Sequence, residues 1–148
     1  MLTRELHRFV ESDDDFRQQW VKLTQKTNPE KQMGWKCQHA AIRVLGGRFS
    51  TYHQDVKLGI DGQLPFEDVF VNCDIKATYR YNRFLIVEKD KLRQGTRYVL
   101  VLWFLGVFCV YGYMDGTEIA SRFEAGEFET QVFDSDECIV IPKEKLYQ

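Results

Sequence analysis

The stretch YVLVLWFLGVFCVYGYM, Tyr98 to Met114, carries no charge, and how it is hidden constrains everything else. A helix crossing a bilayer needs roughly 20 apolar residues. This stretch is shorter and contains Gly106 and Gly112. Its β-branched and aromatic content favours extended chain. Leu100, Leu102 and Phe104 alternate with Val99, Val101 and Trp103, so both faces of its first half are apolar. Such a strand belongs in the middle of a sheet with layers on both sides. Gly106 divides the run into the two arms of a hairpin.

The flanking sequence has to supply those layers. Apolar spacing predicts helices over residues 4–27, a break at TNPE, and a third helix in EKQMGWKCQHAAIRVLGG, starting near Trp35 and stopped by Gly46-Gly47. From Arg48 the period shifts toward two. RFSTYHQDVKLGI, FEDVFVNCDIKATY, RFLIVEK and ECIVIP read as strands, DGQLP and DKLRQG as turns, and TEIASRFEAG as a short helix or turn. Helices followed mostly by strands give an α+β or mixed α/β class. A length of 148 residues fits one domain, with residues 1–34 as a helical extension and 35–148 as its core. The net charge of −2 exerts no general pull on nucleic acid or anionic lipid, though a local basic patch is compatible with it. Cys37, Cys73, Cys109 and Cys138 form no CxxC pair, so a zinc ribbon is not expected. The opening MLTRELHRFVESDDDF has no apolar signal region, and a cytoplasmic, non-membrane protein is expected.

The polar residues inside CDIKAT carry the chemistry. Val69, Val71, Cys73 and Ile75 share one strand face; Phe70, Asn72, Asp74 and Lys76 share the other. In DVKLGI, Val56, Leu58 and Ile60 oppose Asp55, Lys57 and Gly59 in the same way. A hairpin centred near Leu64–Pro65 would pair Asp55 with Asp74. Two opposed carboxylates repel and one is pushed up in pKa. A hard divalent ion such as Mg²⁺ resolves that conflict, and a neighbouring lysine can position a bound water or stabilise developing phosphorane charge. D-x-K on a strand face is also ordinary surface decoration, as in a non-enzymatic interaction protein.

In this respect the chain resembles the PD-(D/E)XK nuclease superfamily, with its restriction-type and phage-type members. CDIKAT is similar to the (D/E)xK strand. Asp55, 19 residues earlier, takes the place of the first acid, and Asp61, 13 residues earlier, is its rival. CQHAAIRVLGG is similar to the family helix E-x-A-A-x-x-x-L-G, with Gln38 where glutamate is usual. VYGYMDGTEI and CIVIPKEKL resemble closing segments of several phage-type members. The resemblance implies a restriction-endonuclease-like core with a mixed central sheet. It implies a Mg²⁺-dependent deoxyribonuclease, an endonuclease, with Mn²⁺ as a substitute ion. Catalytic roles would fall to Asp55, Asp74, Lys76 and Gln38, and metal ligands would be Asp55 or Asp61, Asp74 and the Ile75 backbone carbonyl. DNA is the expected partner, with a homodimer or a partner protein completing the surface. The alternative is a nuclease-fold protein that binds nucleic acid or protein and does not cut.

Further residues suit nucleic acid as well as plain surface. His53 shares the parity of Asp55. Arg80, Arg83, Lys89, Lys91 and Arg93 outnumber the acids near them and suit a phosphate backbone. Tyr79, alternating with Arg80 and Tyr81, suits base stacking.

Overall fold

A computed structural model describes residues 4–10, 29–51, 54–55 and 58–148. The uncharged run forms β6 (Arg97–Phe104) and β7 (Val107–Asp115), joined by a tight turn with Leu105 at φ 50°. Preceding them are β1 (His7–Arg8), α1 (Pro29–Val44), β2 (Arg48–Phe49), β3 (Gly62–Phe66), β4 (Val69–Tyr79) and β5 (Phe84–Glu88). After them come α2 (Gly116–Glu124), β8 (Glu129–Phe133) and β9 (Asp136–Pro142). The main sheet has the order β1-β7-β6-β4-β3-β2, and a smaller sheet has the order β5-β9-β8. β4 pairs with β6 in parallel and with β3 antiparallel, so the main sheet is mixed. The α+β class with a mixed central sheet is the one predicted.

The alternation in β6 explains the layering. Val99 and Val101 face α1, where Cys37, Ala40, Ala41 and Ile42 pack with Leu64, Cys73 and Ile75. Tyr98, Leu100 and Leu102 face the other way, onto Leu85, Val87, Ile139 and Ile141 of the small sheet and Ile119 of α2. Each fully buried aliphatic side chain contributes about 1.5–3 kcal/mol, so both faces of β6 bind it in place. Ile75 and Cys73 share in the first of these cores, and that fixes which side of β4 presents Asp74 and Lys76.

Several elements depart from expectation. Of the helices predicted over 4–27, the described part holds a strand instead. His7–Arg8 pairs with the edge of β7, and the Phe9 N–H donates to the Gly106 carbonyl at 3.1 Å. Residues 11–28 lie outside the described residues. α1 begins at Pro29 and runs through Gly34. It does end as predicted: Gly46 has φ 68°, its N–H donates to Arg43 O, and the Gly47 N–H donates to Ile42 O, the paired bonds of a Schellman cap.

The strand predicted over Arg48–Ile60 stops at Phe49, and Gln54, Asp55 and Leu58 are helical. The cause is a capping box, T-x-x-Q. The Thr51 N–H donates to Gln54 Oε1 at 2.9 Å and the Gln54 N–H donates to Thr51 Oγ1 at 3.2 Å. DGQLP is also no turn, since Gly62–Phe66 is β3. The turn falls at Glu67–Asp68, with φ 49° and 66°, the two positive angles of a primed hairpin turn. The pair flanking such a turn is hydrogen-bonded and the next is not, so the nitrogen of Pro65 points to the outer edge. β2 pairs only with Gly62 and Gln63, so no neighbour there needs the missing N–H.

Candidate active site at the open edge of β4

The turn position resets the register. Gly62 pairs with Cys73 and Gln63 with Asn72, and the ladder stops there, with Asp61 as the residue just before its last pair. The expected cross-strand pair of Asp55 with Asp74 does not form, because Asp55 lies in the capped helical turn and not on the ladder.

β3 begins one residue after Asp61, leaving the β4 edge at Ile75 without a strand partner on that side. Asp61 fills the gap. Its N–H donates to the Cys73 carbonyl at 2.9 Å, and its Oδ2 accepts the Ile75 N–H at 2.6 Å. The Ile75 carbonyl, on the same edge, accepts Gln38 Nε2 from α1 at 3.3 Å. The Ile75 peptide thus lies between an acid on one side and an amide on the other.

The acids form a chain. Burial raises the Asp61 carboxyl well above its ordinary value, the Asp74 and Asp55 charges add to this, and the Ile75 N–H opposes it. Burial also raises Asp55; its hydrogen bond with Asp61 opposes the rise and Asp74 reinforces it. That shared bond lowers Asp55 and raises Asp61. Asp74 is engaged elsewhere, its Oδ1 lying 3.3 Å from Lys76 Nζ. Burial works to lower the Lys76 ammonium, but Asp74, Asp61 and Glu88 outweigh it and hold the group above its ordinary value. The charged form of Lys76 is therefore favoured.

The loop after β5 closes the site. Tyr98, beside Asp74 in the β4–β6 register, is buried; its hydroxyl accepts the Arg93 N–H at 2.9 Å and donates to Lys91 O at 3.3 Å. The Arg93 guanidinium lies over Gly59, where an added Cβ would be 3.3 Å from it. Gly59 has φ 67° and belongs to the same segment as Asp55 and Asp61. Arg93 thereby lies against the segment that carries Asp55 and Asp61. Lys89 and Lys91 face ion pairs of their own, with Glu137 at 3.6 Å and Glu88 at 3.0 Å. Arg80 and Arg83 are exposed and lie beyond the end of β4. Tyr79 is on the Cys73–Ile75 side, in edge contact with Trp103 and Tyr81, away from Asp74 and Lys76. His53 lies outside the described residues.

Among the described residues, no three His, Cys, Asp or Glu side chains close into a ready-made metal cage. The donor set is two or three linked carboxyls and a backbone carbonyl. It is of the kind that Mg²⁺ uses, since that ion keeps several of its waters. The raised carboxyls also express an electrostatic demand that a cation would relieve. A cleft of about 70 Å³ between α1 and Phe49 reaches this point, lined by Gln38, Asp55 and Asp61, and Ser50 Oγ beside it is buried with no hydrogen-bond partner among the described residues. The sequence signals that were missed are the T-x-x-Q box and the Glu67–Asp68 turn; together they take Asp55 off the ladder and leave Asp61 at its end.

No protein family and no curated protein matches the chain. Among solved structures it is similar to a nuclease from a fusselovirus, at 11% identity and a TM-score of 0.38, over 74% of this chain and 77% of that one. A likeness that remote carries no residue and no activity across. No described helix is long and apolar enough to cross a membrane.

Proposed function

We propose that this protein is a metal-dependent nuclease of the PD-(D/E)XK type, hydrolysing phosphodiester bonds of DNA, with residues 35–148 as its catalytic core. One observation carries the reading: the end of the β3–β4 ladder and a carboxylate–backbone bond bring Asp61 to the edge of β4 at Ile75, the residue between Asp74 and a charged Lys76. Asp61, Asp74 and the Ile75 carbonyl are the groups that would hold Mg²⁺ or Mn²⁺. The bound ion supplies an activated water and neutralises charge on the phosphate. Asp55, hydrogen-bonded to Asp61, orients that carboxyl. Lys76 stabilises negative charge gathering on the phosphoryl oxygens, and Arg93 holds the phosphate from the other wall. Water oxygen joins phosphorus, one ester P–O bond breaks, and the departing oxygen takes up a proton.

One contact favours the second reading, a nuclease-fold protein that binds without cutting. The Gln38 amide sits on the Ile75 carbonyl, where a family glutamate would add a charge. Cleavage of DNA by the purified chain, with Mg²⁺ or with EDTA, separates the two. Metal-dependent cutting lost in Asp74→Ala and Lys76→Ala, with folding retained, supports the nuclease. Metal-independent binding with no cutting supports the binder. A homodimer, or a partner protein, would extend the recognition surface.

A further inference from the structure

A second cleft, of about 270 Å³, opens where β4 ends against the β6–β7 hairpin. Its walls include Arg4, Arg80 and Lys143 with the rings of Trp103, Phe104 and Tyr111, and no acid. Arg80 follows Lys76 by four residues, about 13 Å of extended chain, so this cleft is separate from the acids of the candidate active site.

The way the three cations are held is informative. Arg4 lies over the Tyr111 ring, 3.9 Å from its centroid, and its Nε donates to the Tyr111 carbonyl at 3.0 Å. Lys143 Nζ donates to the Arg80 carbonyl at 3.4 Å and stands 5.4 Å from the same Tyr111 ring. The Arg80 guanidinium lies 5.6 Å from the Phe104 ring. Ring faces and carbonyls fix the direction of a cation without cancelling its charge. No described carboxylate pairs with any of the three. Three like charges kept together in this way repel one another, and an anion relieves the repulsion.

We propose that this cleft binds a nucleoside monophosphate unit, the phosphate held by Arg4, Arg80 and Lys143 and the base laid against Phe104. Three cations match the near-double charge of a terminal phosphate better than the single charge of an internal diester. Aromatic walls take any base by stacking. The volume suits one nucleotide and not a longer segment. The same chemistry is offered by a free mononucleotide and by the 5′-phosphorylated end of a strand. Binding here does not depend on the nuclease reading and is measured with no metal present.

The test is calorimetric titration of the full chain in EDTA. The probes are deoxythymidine monophosphate, inorganic phosphate, and one oligodeoxynucleotide carrying a 5′-phosphate or a 5′-hydroxyl. Expected are binding of the mononucleotide, weaker binding of phosphate alone, and a preference of about tenfold for the phosphorylated strand. Arg80→Gln with Lys143→Gln should weaken mononucleotide binding by about tenfold or more, with an unchanged thermal midpoint; Arg80→Gln alone serves if the double variant folds poorly. Asp61→Asn should leave it unchanged. If the strand binds and the mononucleotide does not, the single-nucleotide pocket is wrong. If phosphate binds as tightly as the mononucleotide, the base wall is wrong. If the charge variants bind as the natural chain does, or nothing binds at all, the site is refuted.

Discussion

Asp61 carries two roles that substitution can separate. Its carboxylate completes the hydrogen bonding of Ile75 N–H at 2.6 Å, and its charge is the one the surrounding acids oppose. Asp61→Ala removes the acceptor and leaves a strand N–H unpaired at a part-buried edge, a cost of about 1–3 kcal/mol. Asp61→Asn keeps an acceptor in place and removes the charge. In EDTA at pH 7 it should therefore be clearly more stable than Asp61→Ala, and as stable as the natural chain or more so. Excess Mg²⁺ should reverse the order against the natural chain, which alone gains from the ion. At a hundredfold excess over the dissociation constant that gain is about 2.7 kcal/mol. Urea unfolding of the three proteins, with EDTA and with Mg²⁺, measures every term. Equal destabilisation by Ala and Asn in EDTA would refute the strand-capping role. An equal response of all three to Mg²⁺ would refute the metal role.

Three further outcomes follow from the same geometry. The native Asp61 and Asp55 sit above the ordinary carboxylate value of 3.8, so the folded chain retains protons that the unfolded chain has lost. Unfolding free energy in EDTA should accordingly fall as pH rises from about 4 through the folded pKa values, and Asp61→Asn should flatten that fall in a pH series of urea melts. Lys76→Gln should cut the cleavage rate by about 10²–10³-fold while Lys76→Arg keeps part of it, because the role assigned is charge and not proton abstraction. Gly116→Ala would place a Cβ 1.9 Å from the Arg93 carbonyl, whereas a Cβ at Gly34 meets nothing within 4 Å. The first should lower the thermal midpoint by the equivalent of about 1–3 kcal/mol, and the second should raise it slightly by helix propensity.

The strand carrying Asp74 and Lys76 was legible because two signals agree in it. Cys73 and Ile75 alternate with Asp74 and Lys76, and the apolar pair is buried under α1. The central hairpin was legible because β6 is apolar on both faces, and the end of α1 because Gly46-Gly47 is a direct backbone signal. The place of Asp61 was not. It depends on register, register depends on the turn, and the turn uses Glu67 and Asp68 at positive φ where Gly or Asn is the usual mark. Pro65 then looked like a turn residue because its open outer edge is a property of the sheet and not of the local sequence. The strand reading of 48–60 failed for a different reason, since alternation was weighed over a four-residue capping pattern. β8 was missed because its residues are all exposed and carry no alternation. The position of Arg93 depends on Gly59 and on the Tyr98 hydroxyl, contacts far apart in sequence.

The account stands or falls on which carboxylate joins Asp74. Nicking of supercoiled DNA in Mg²⁺ by the natural chain, Asp61→Asn, Asp74→Asn and Asp55→Asn tests this directly. The prediction is metal-dependent nicking by the natural chain, its loss in Asp61→Asn and Asp74→Asn, and a reduced but measurable rate in Asp55→Asn. Full activity in Asp61→Asn, or no nicking by the natural chain with either Mg²⁺ or Mn²⁺, would contradict it.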